Sequence, residues 1–158
     1  MVEYEEFSML RENADEAGIS WEGTPKVERK FFTSSEGFSI SGIVWGEKPP
    51  QLVFIHGGAQ NAHTWDTVAL ALDMPLLALD LPGHGHSDWR PKCDYTPFIL
   101  ADQATEAIQH WAPEAKAVVG MSLGGLTALC IAADHPELVK RLGIVDVTPG
   151  TDQAKAEP

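Results

Sequence analysis

The sequence predicts an α/β fold, a mostly parallel sheet held between two helical layers as a three-layer α/β/α sandwich. Three observations lead there. Two strand-like runs joined by a short turn are followed by strand-like runs that alternate with helical patterns. The residues with the most chemistry, His56-Gly57-Gly58, Asp80, Ser122 and Asp146, each end a predicted strand or follow one. That is the edge at which sites on such sheets form. Finally, Gly120-x-Ser122-x-Gly124 lies between a β-branched run and a helical stripe, with the serine at the apex of the turn.

In chain order, residues 3–17 alternate acids with Tyr4, Phe7, Leu10, Ala14 and Ala17, and Gly18 is a helix stop. Residues 1–22 thus read as an acidic helix or arm without chemistry of its own, ahead of a domain at 23–150 and a polar tail at 151–158. Val27 to Thr33 and Phe38 to Trp45 read as strands joined by Ser34-Ser35-Glu36-Gly37. After Lys48-Pro49-Pro50, the run Leu52-Val53-Phe54-Ile55 suits a strand covered on both faces. It ends in His56-Gly57-Gly58-Ala59-Gln60-Asn61, and a helix follows with Trp65, Val68, Ala69 and Leu72 on one face. Met74 to Leu79 is a fourth strand ending at Asp80, before the turn-rich loop Leu81 to Trp89. Thr96-Pro97 reads as a cap and first helical residue, and Ala101, Ala104, Ile108 and Trp111 point inward until Pro113. Ala117 to Met121 leads into the serine turn. The next helix shows Leu126, Leu129, Cys130 and Ala133 at helical spacing and closes at Pro136. Leu142 to Val147 is a sixth strand, followed by Thr148-Pro149-Gly150.

At 158 residues, 44% apolar and 22% charged, the chain has the size and composition of one globular domain. No apolar run has the length of a membrane span, and the acidic amino end is unlike a signal peptide, so a cytoplasmic location is expected. A net charge of −12 argues against nucleic acid and anionic membranes as partners. Half of it is local: seven acids stand against Arg11 alone in residues 1–22. Cys93 and Cys130 form no disulfide framework. No set of His, Cys and carboxylates has metal-ligand spacing, and the Gly120–Gly125 string lacks the register of a dinucleotide fingerprint, so neither metal nor cofactor is expected.

A strand that turns straight into a helix crowds its own backbone around the apex. Side chains two positions before and after it must be nearly absent, which Gly120 and Gly124 provide, and the helix amino end favours negative charge beside Ser122. Together with the His-Gly-Gly turn and the Asp-Leu-Pro-Gly-His-Gly-His-Ser loop, this Gly-Met-Ser-Leu-Gly-Gly elbow resembles the α/β-hydrolases over about residues 27–147. The resemblance implies that Ser122 is a nucleophile. It implies an oxyanion hole made by the N–H of Leu123 and that of Gly58 or Ala59, with His56 and Gly57 shaping the turn. Members with Asp at the elbow, such as haloalkane dehalogenases and epoxide hydrolases, form an ester of that carboxylate. Serine points instead to acyl transfer on a small ester, lactone, thioester or C–C bond next to a carbonyl.

The family order is serine, acid, histidine, and only His135 follows Ser122. At ~1.5 Å per helical residue, His135 lies roughly 20 Å away and is excluded as the base. His84 and His86 read as turn residues, His63 and His110 as ordinary helix positions, and Asp80 as ordering its own loop. Asp146 ends the sixth strand, where some members carry their acid; its other reading is a strand exit whose carboxylate accepts local backbone hydrogen bonds. The resemblance calls for two further strands and a histidine loop, so the fold is expected to be incomplete after the sixth strand and completed by a C-terminal segment or a second chain. The alternative reading is a non-catalytic α/β-hydrolase-like binding module, or an inactive truncated scaffold.

Overall fold

The computed structural model describes residues 5–20, 23 and 25–147. The polar tail 151–158, the Thr148-Pro149-Gly150 exit, and Glu3, Tyr4 and Glu22 of the arm lie outside the described residues. In chain order the elements are α1 (Leu10–Glu16), β1 (Val27–Thr33), β2 (Ser39–Trp45), β3 (Leu52–Ile55), a 3₁₀ turn (Ala62–Trp65), α2 (Asp66–Leu72), β4 (Leu76–Asp80), α3 (Pro97–Trp111), β5 (Ala117–Met121), α4 (Leu123–Asp134) and β6 (Leu142–Val145). The six strands form one sheet in the order β1-β2-β4-β3-β5-β6. β1 and β2 pair antiparallel, β2 joins β4 antiparallel, and β4, β3, β5 and β6 run parallel.

The apolar runs are buried on both faces with period two. Val53, Ile55, Leu77, Leu79 and Val118 face a core with Leu100, Ala104 and Ile108 of α3 and Ala128 and Ile131 of α4. Phe54, Leu76 and Ala78 face the opposite core, with Trp65, Ala69 of α2 and Leu10 of α1. The three layers expected from the sequence are therefore present. α1 packs on α2, with Leu10 and Ala14 buried.

Several boundaries and faces differ from expectation, each for a physical reason. The first helix is confined to Leu10–Glu16, and Gly18 at φ +66° ends it. Phe38 closes the β1–β2 turn rather than opening β2, because its N–H and C=O both bond Ser34. β4 starts at Leu76, since Pro75 has no N–H for the ladder. β6 stops at Val145 because Asp146 turns to φ +54°. Of the face expected to pack, Trp65 and Ala69 are buried but Val68 and Leu72 are exposed, and α2 buries Asp66 beside Ala69. α4 buries Gly124, Thr127, Ala128 and Ile131, leaving Leu126 40% exposed. Its glycine end must sit on the sheet, and that rotates the Leu126 stripe outward. Trp111 is half-buried at the core margin, and Thr96 precedes α3 without a side-chain cap bond.

Candidate active site

β5 delivers Ser122 to the carboxyl edge of the sheet. β5 lies between β3 and β6, with Met121 opposite Val145, and the Ser122 N–H donates to the Val145 carbonyl at 2.9 Å. Ser122 then adopts φ +49°, ψ −116°, and α4 begins at Leu123. A residue with a Cβ seldom enters this region, at a cost of about 1–3 kcal/mol.

The flanking glycines are required by contact with backbone, not by chain freedom. A Cβ on Gly120 would stand 2.2 Å from the Gly124 carbonyl oxygen. One on Gly124 would stand 2.3 Å from the Ile55 oxygen and 2.4 Å from the His56 oxygen. Neither contact can be relieved by a side-chain rotation. Gly124→Ala is therefore expected to cost about 3 kcal/mol of stability, read from urea unfolding. A loss under about 1 kcal/mol would show that α4 can stand further from β3 than the structure places it.

The turn after β3 lies against this elbow. A Cβ on Gly57 would come 3.4 Å from the Ser122 Cβ, and one on Gly58 would be 4.0 Å from a Leu123 methyl. The Gly57 N–H donates to Gln60 Oε1 at 2.9 Å, and Ala59 sits at φ +57°. The Gly58 N–H makes no hydrogen bond among the described residues, and the Leu123 N–H, first in α4, has no intrahelical acceptor.

His56 is fully buried beneath the turn. Its Nε2 accepts the Leu81 N–H at 3.0 Å, which places its proton on Nδ1, donated to the Gly57 carbonyl at 2.7 Å. Burial pushes its pKa down to about 4, against the pull of the Gly57 bond. A neutral imidazole with both nitrogens engaged shapes the turn and has no capacity to take a proton from Ser122.

Asp80, ending β4, is also fully buried. It accepts from Ala62 N–H at 2.7 Å, His86 N–H at 3.1 Å, Ser41 Oγ at 3.0 Å and Arg29 Nη1 at 2.6 Å. Burial alone would raise its pKa, but the Ala62 and His86 N–H groups, the Arg29 charge and the Ser41 hydroxyl hold it below the usual carboxylate value. It orders its own loop, as the sequence suggests, and also ties the Gly57–Asn61 turn to β1 and β2.

His56, Gly57, Gly58, Gly120, Ser122, Leu123 and Gly124 thus come together. Asp146 does not join them through any bond. It follows Val145, the partner of Met121, and is exposed, without a hydrogen bond among the described residues. Ser122 Oγ likewise has no hydrogen-bond partner among the described residues. Of the other histidines, His84 bonds the Pro82 carbonyl and packs on His56, and His110 packs on Phe32. His63 bonds Asp66, and His86 is 3.9 Å from Glu6. His135 caps the far end of α4. Gln60, Arg29 and Glu6 escape sequence reasoning. A glutamine after two glycines reads as loop, and the charges pair across 23 and 51 residues of chain. Two clefts, one along Trp45, Gly46, Asp73 and Pro75 and one along Pro49, Pro50 and Trp111, open at the amino ends of the parallel strands, opposite Ser122.

Residues 50–155 match the family model described as the alpha/beta hydrolase fold. The chain is 48% identical over 153 residues to the esterase Rv0045c of Mycobacterium tuberculosis, covering 97% of this chain and 49% of that protein. A solved structure of that esterase superposes with a TM-score of 0.88 at 48% identity, over 97% of this chain and 51% of the other. A serine hydrolase-like protein of Danio rerio is 37% identical over 114 residues, 68% of this chain and 34% of that protein. The chain spans about half the length of the esterase, or less of these curated relatives.

Proposed function

This chain belongs to the α/β-hydrolase family, and from that premise we propose that it carries the nucleophile and oxyanion hole of a serine hydrolase acting by acyl transfer. The observation that carries the reading is Ser122 itself. It is an exposed serine in a costly conformation at the start of α4, between two glycines that no other residue can replace. A binding module gains nothing from that strain. The esterase and serine hydrolase-like relatives support the same chemistry.

In the proposed reaction, Ser122 Oγ attacks the carbonyl carbon of a small ester, lactone, thioester or C–C bonded substrate. Its proton passes to a histidine base. The tetrahedral oxyanion rests on the N–H groups of Leu123 and Gly58, each worth about 3–4 kcal/mol in a dry site. The leaving group departs with the proton, and water then releases the acyl group from Ser122. The base comes from a C-terminal segment or a second chain, because all six histidines of this chain are engaged elsewhere. Asp146 remains an acid candidate for that histidine, from its place beside the elbow. The acidic chain, with both cysteines unpaired, suits small-molecule chemistry in the cytoplasm.

Intact mass before and after an organophosphonate serine reagent tests this. One adduct, mapped to Ser122 when the completing segment is present, is expected. An adduct elsewhere overturns the assignment. Among the described residues no side chain holds Ser122 Oγ, which favours the second reading, a scaffold or binding module, for these 158 residues alone. No adduct on the isolated chain together with labelling of the completed protein would assign each reading to its own molecule.

A further inference from the structure

The turn between Gly57 and Asn61 is braced from beneath by His56, whose Nδ1–H donates to the Gly57 carbonyl, and within itself by the Gly57 N–H on Gln60 Oε1. At its exit the His63 N–H donates to Asn61 Oδ1 at 2.9 Å and the Thr64 N–H to the Asn61 carbonyl at 3.1 Å. Two further anchors tie that exit to other elements: Ala62 N–H donates to Asp80, and His63 Nε2 stands 3.1 Å from Glu6 Oε1. These two meet at one guanidinium. Arg29, its side chain 8% exposed, donates from Nε to Glu6 at 2.5 Å and from Nη1 to Asp80 at 2.6 Å. The Ser41 hydroxyl accepts from the same Nη1.

We propose that Glu6, acting through Arg29 and His63, is a positioning residue for the oxyanion turn. The acidic arm then helps set the donor geometry at Gly58. This rests on the serine-hydrolase reading above. A turn with Ala59 at φ +57° holds its shape only where its surroundings over-determine it, and a misplacement of one ångström at such a donor costs up to about a hundredfold in rate.

The groups around His63 decide how the grip varies with pH. Asp66, the first residue of α2, bonds Nδ1 at 2.7 Å, and Glu6 of the arm faces Nε2. Arg29 Nη2 of β1 lies 3.5 Å from Nε2, the Phe7 ring is 5.9 Å away, and His86 is 3.9 Å from the same Glu6 oxygen. The bond to Asp66 raises the His63 pKa most, burial opposes it, and the Asp66 charge and Glu6 raise it further, against Arg29. The imidazolium has an N–H for each carboxylate; the neutral ring can serve only one. With the folded pKa raised, the bridge is fully present below the ordinary histidine value near pH 6.5 and is lost as pH rises through the folded value.

Hydrogen exchange over residues 57–63 of the full chain, corrected for the intrinsic rate, tests this between about pH 6 and pH 9. In the unmodified protein, protection should fall across that range. Glu6→Gln should speed exchange several-fold at the acid end and flatten the profile. With an activated ester and the completing segment present, it should lower kcat about tenfold while KM stays within about twofold. His63→Gln keeps the Glu6–Arg29 pair and should flatten the profile too, so the test survives if Glu6→Gln folds poorly. Superimposable exchange profiles for all three proteins would overturn the proposal, as would a change in KM alone. Ser122→Ala separates the two ideas. Retained hydrolysis in that variant removes the catalytic reading and the positioning role with it, whereas exchange still reports whether arm and turn are coupled.

Discussion

Ser122→Ala, in the presence of the segment that supplies the base, should lower hydrolysis of an activated ester by roughly 10⁴- to 10⁶-fold. The size follows from the site. No other nucleophilic side chain is bonded at the elbow, and the histidines of this chain hold other partners. What survives is the rate supplied by the two backbone donors and by substrate binding. Stability should hardly move, within about 0.5 kcal/mol, because Ser122 Oγ makes no hydrogen bond among the described residues and alanine carries the same Cβ. Ser122→Gly should lose the same activity yet gain about 1 kcal/mol, since glycine enters φ +49° freely. Ester kinetics beside thermal unfolding of the two variants makes the check. Retained hydrolysis in either variant sinks the nucleophile assignment. A gain in stability without a loss of rate would make the elbow merely a strained turn.

Arg29→Met should cost about 3–5 kcal/mol at neutral pH, read from denaturant unfolding. Arg29 lies between a fully buried carboxylate, Asp80, and the largely buried carboxylate of Glu6. Methionine fills much of the same space but leaves two negative charges facing each other without a cation. The pH dependence gives the sign. The Asp80 pKa is depressed in the folded state, so its contribution is present above the ordinary carboxylate value near pH 4 and is lost as pH falls through the folded value. In Arg29→Met the Asp80 carboxylate keeps the Ala62 and His86 N–H groups but loses the Arg29 charge, so it gains less from being ionised. The deficit should therefore be greatest near neutrality and shrink in acid, where the parent loses its own advantage. Adding Asp80→Asn to Arg29→Met should recover part of the loss, since a neutral amide needs no cation. A cost below about 1 kcal/mol, or one that does not vary with pH, would mean that water reaches this cluster and screens it.

The elbow and the strands were legible because their causes are local. Val27–Thr33, Leu52–Ile55 and Ala117–Met121 carry apolar, β-branched or alternating patterns bounded by turn residues, and the structure places strands there. Gly120 and Gly124 announce the elbow because only glycine tolerates backbone at 2.2–2.3 Å from a Cβ position. The same backbone contact decides what spacing alone leaves open. The stripe from Leu126 marks a helix, and the close seat of Gly124 against Ile55 and His56 turns Gly124, Ala128 and Ile131 inward. Spacing defines a helix stripe; the neighbouring element decides which stripe is buried.

The chain by itself determined the layered sheet, the serine at its carboxyl edge and the glycines beside it, since each follows from residues a few positions apart. Only the tertiary structure decided that Glu6 and Asp80 share Arg29, that His56 is a neutral brace, and that the Asp146 carboxylate and Ser122 Oγ stand without hydrogen-bond partners among the described residues. A hydrogen bond or a buried charge is indifferent to sequence separation. Its partner is chosen by which surfaces the packed layers bring together, and that choice leaves no periodic trace in the chain.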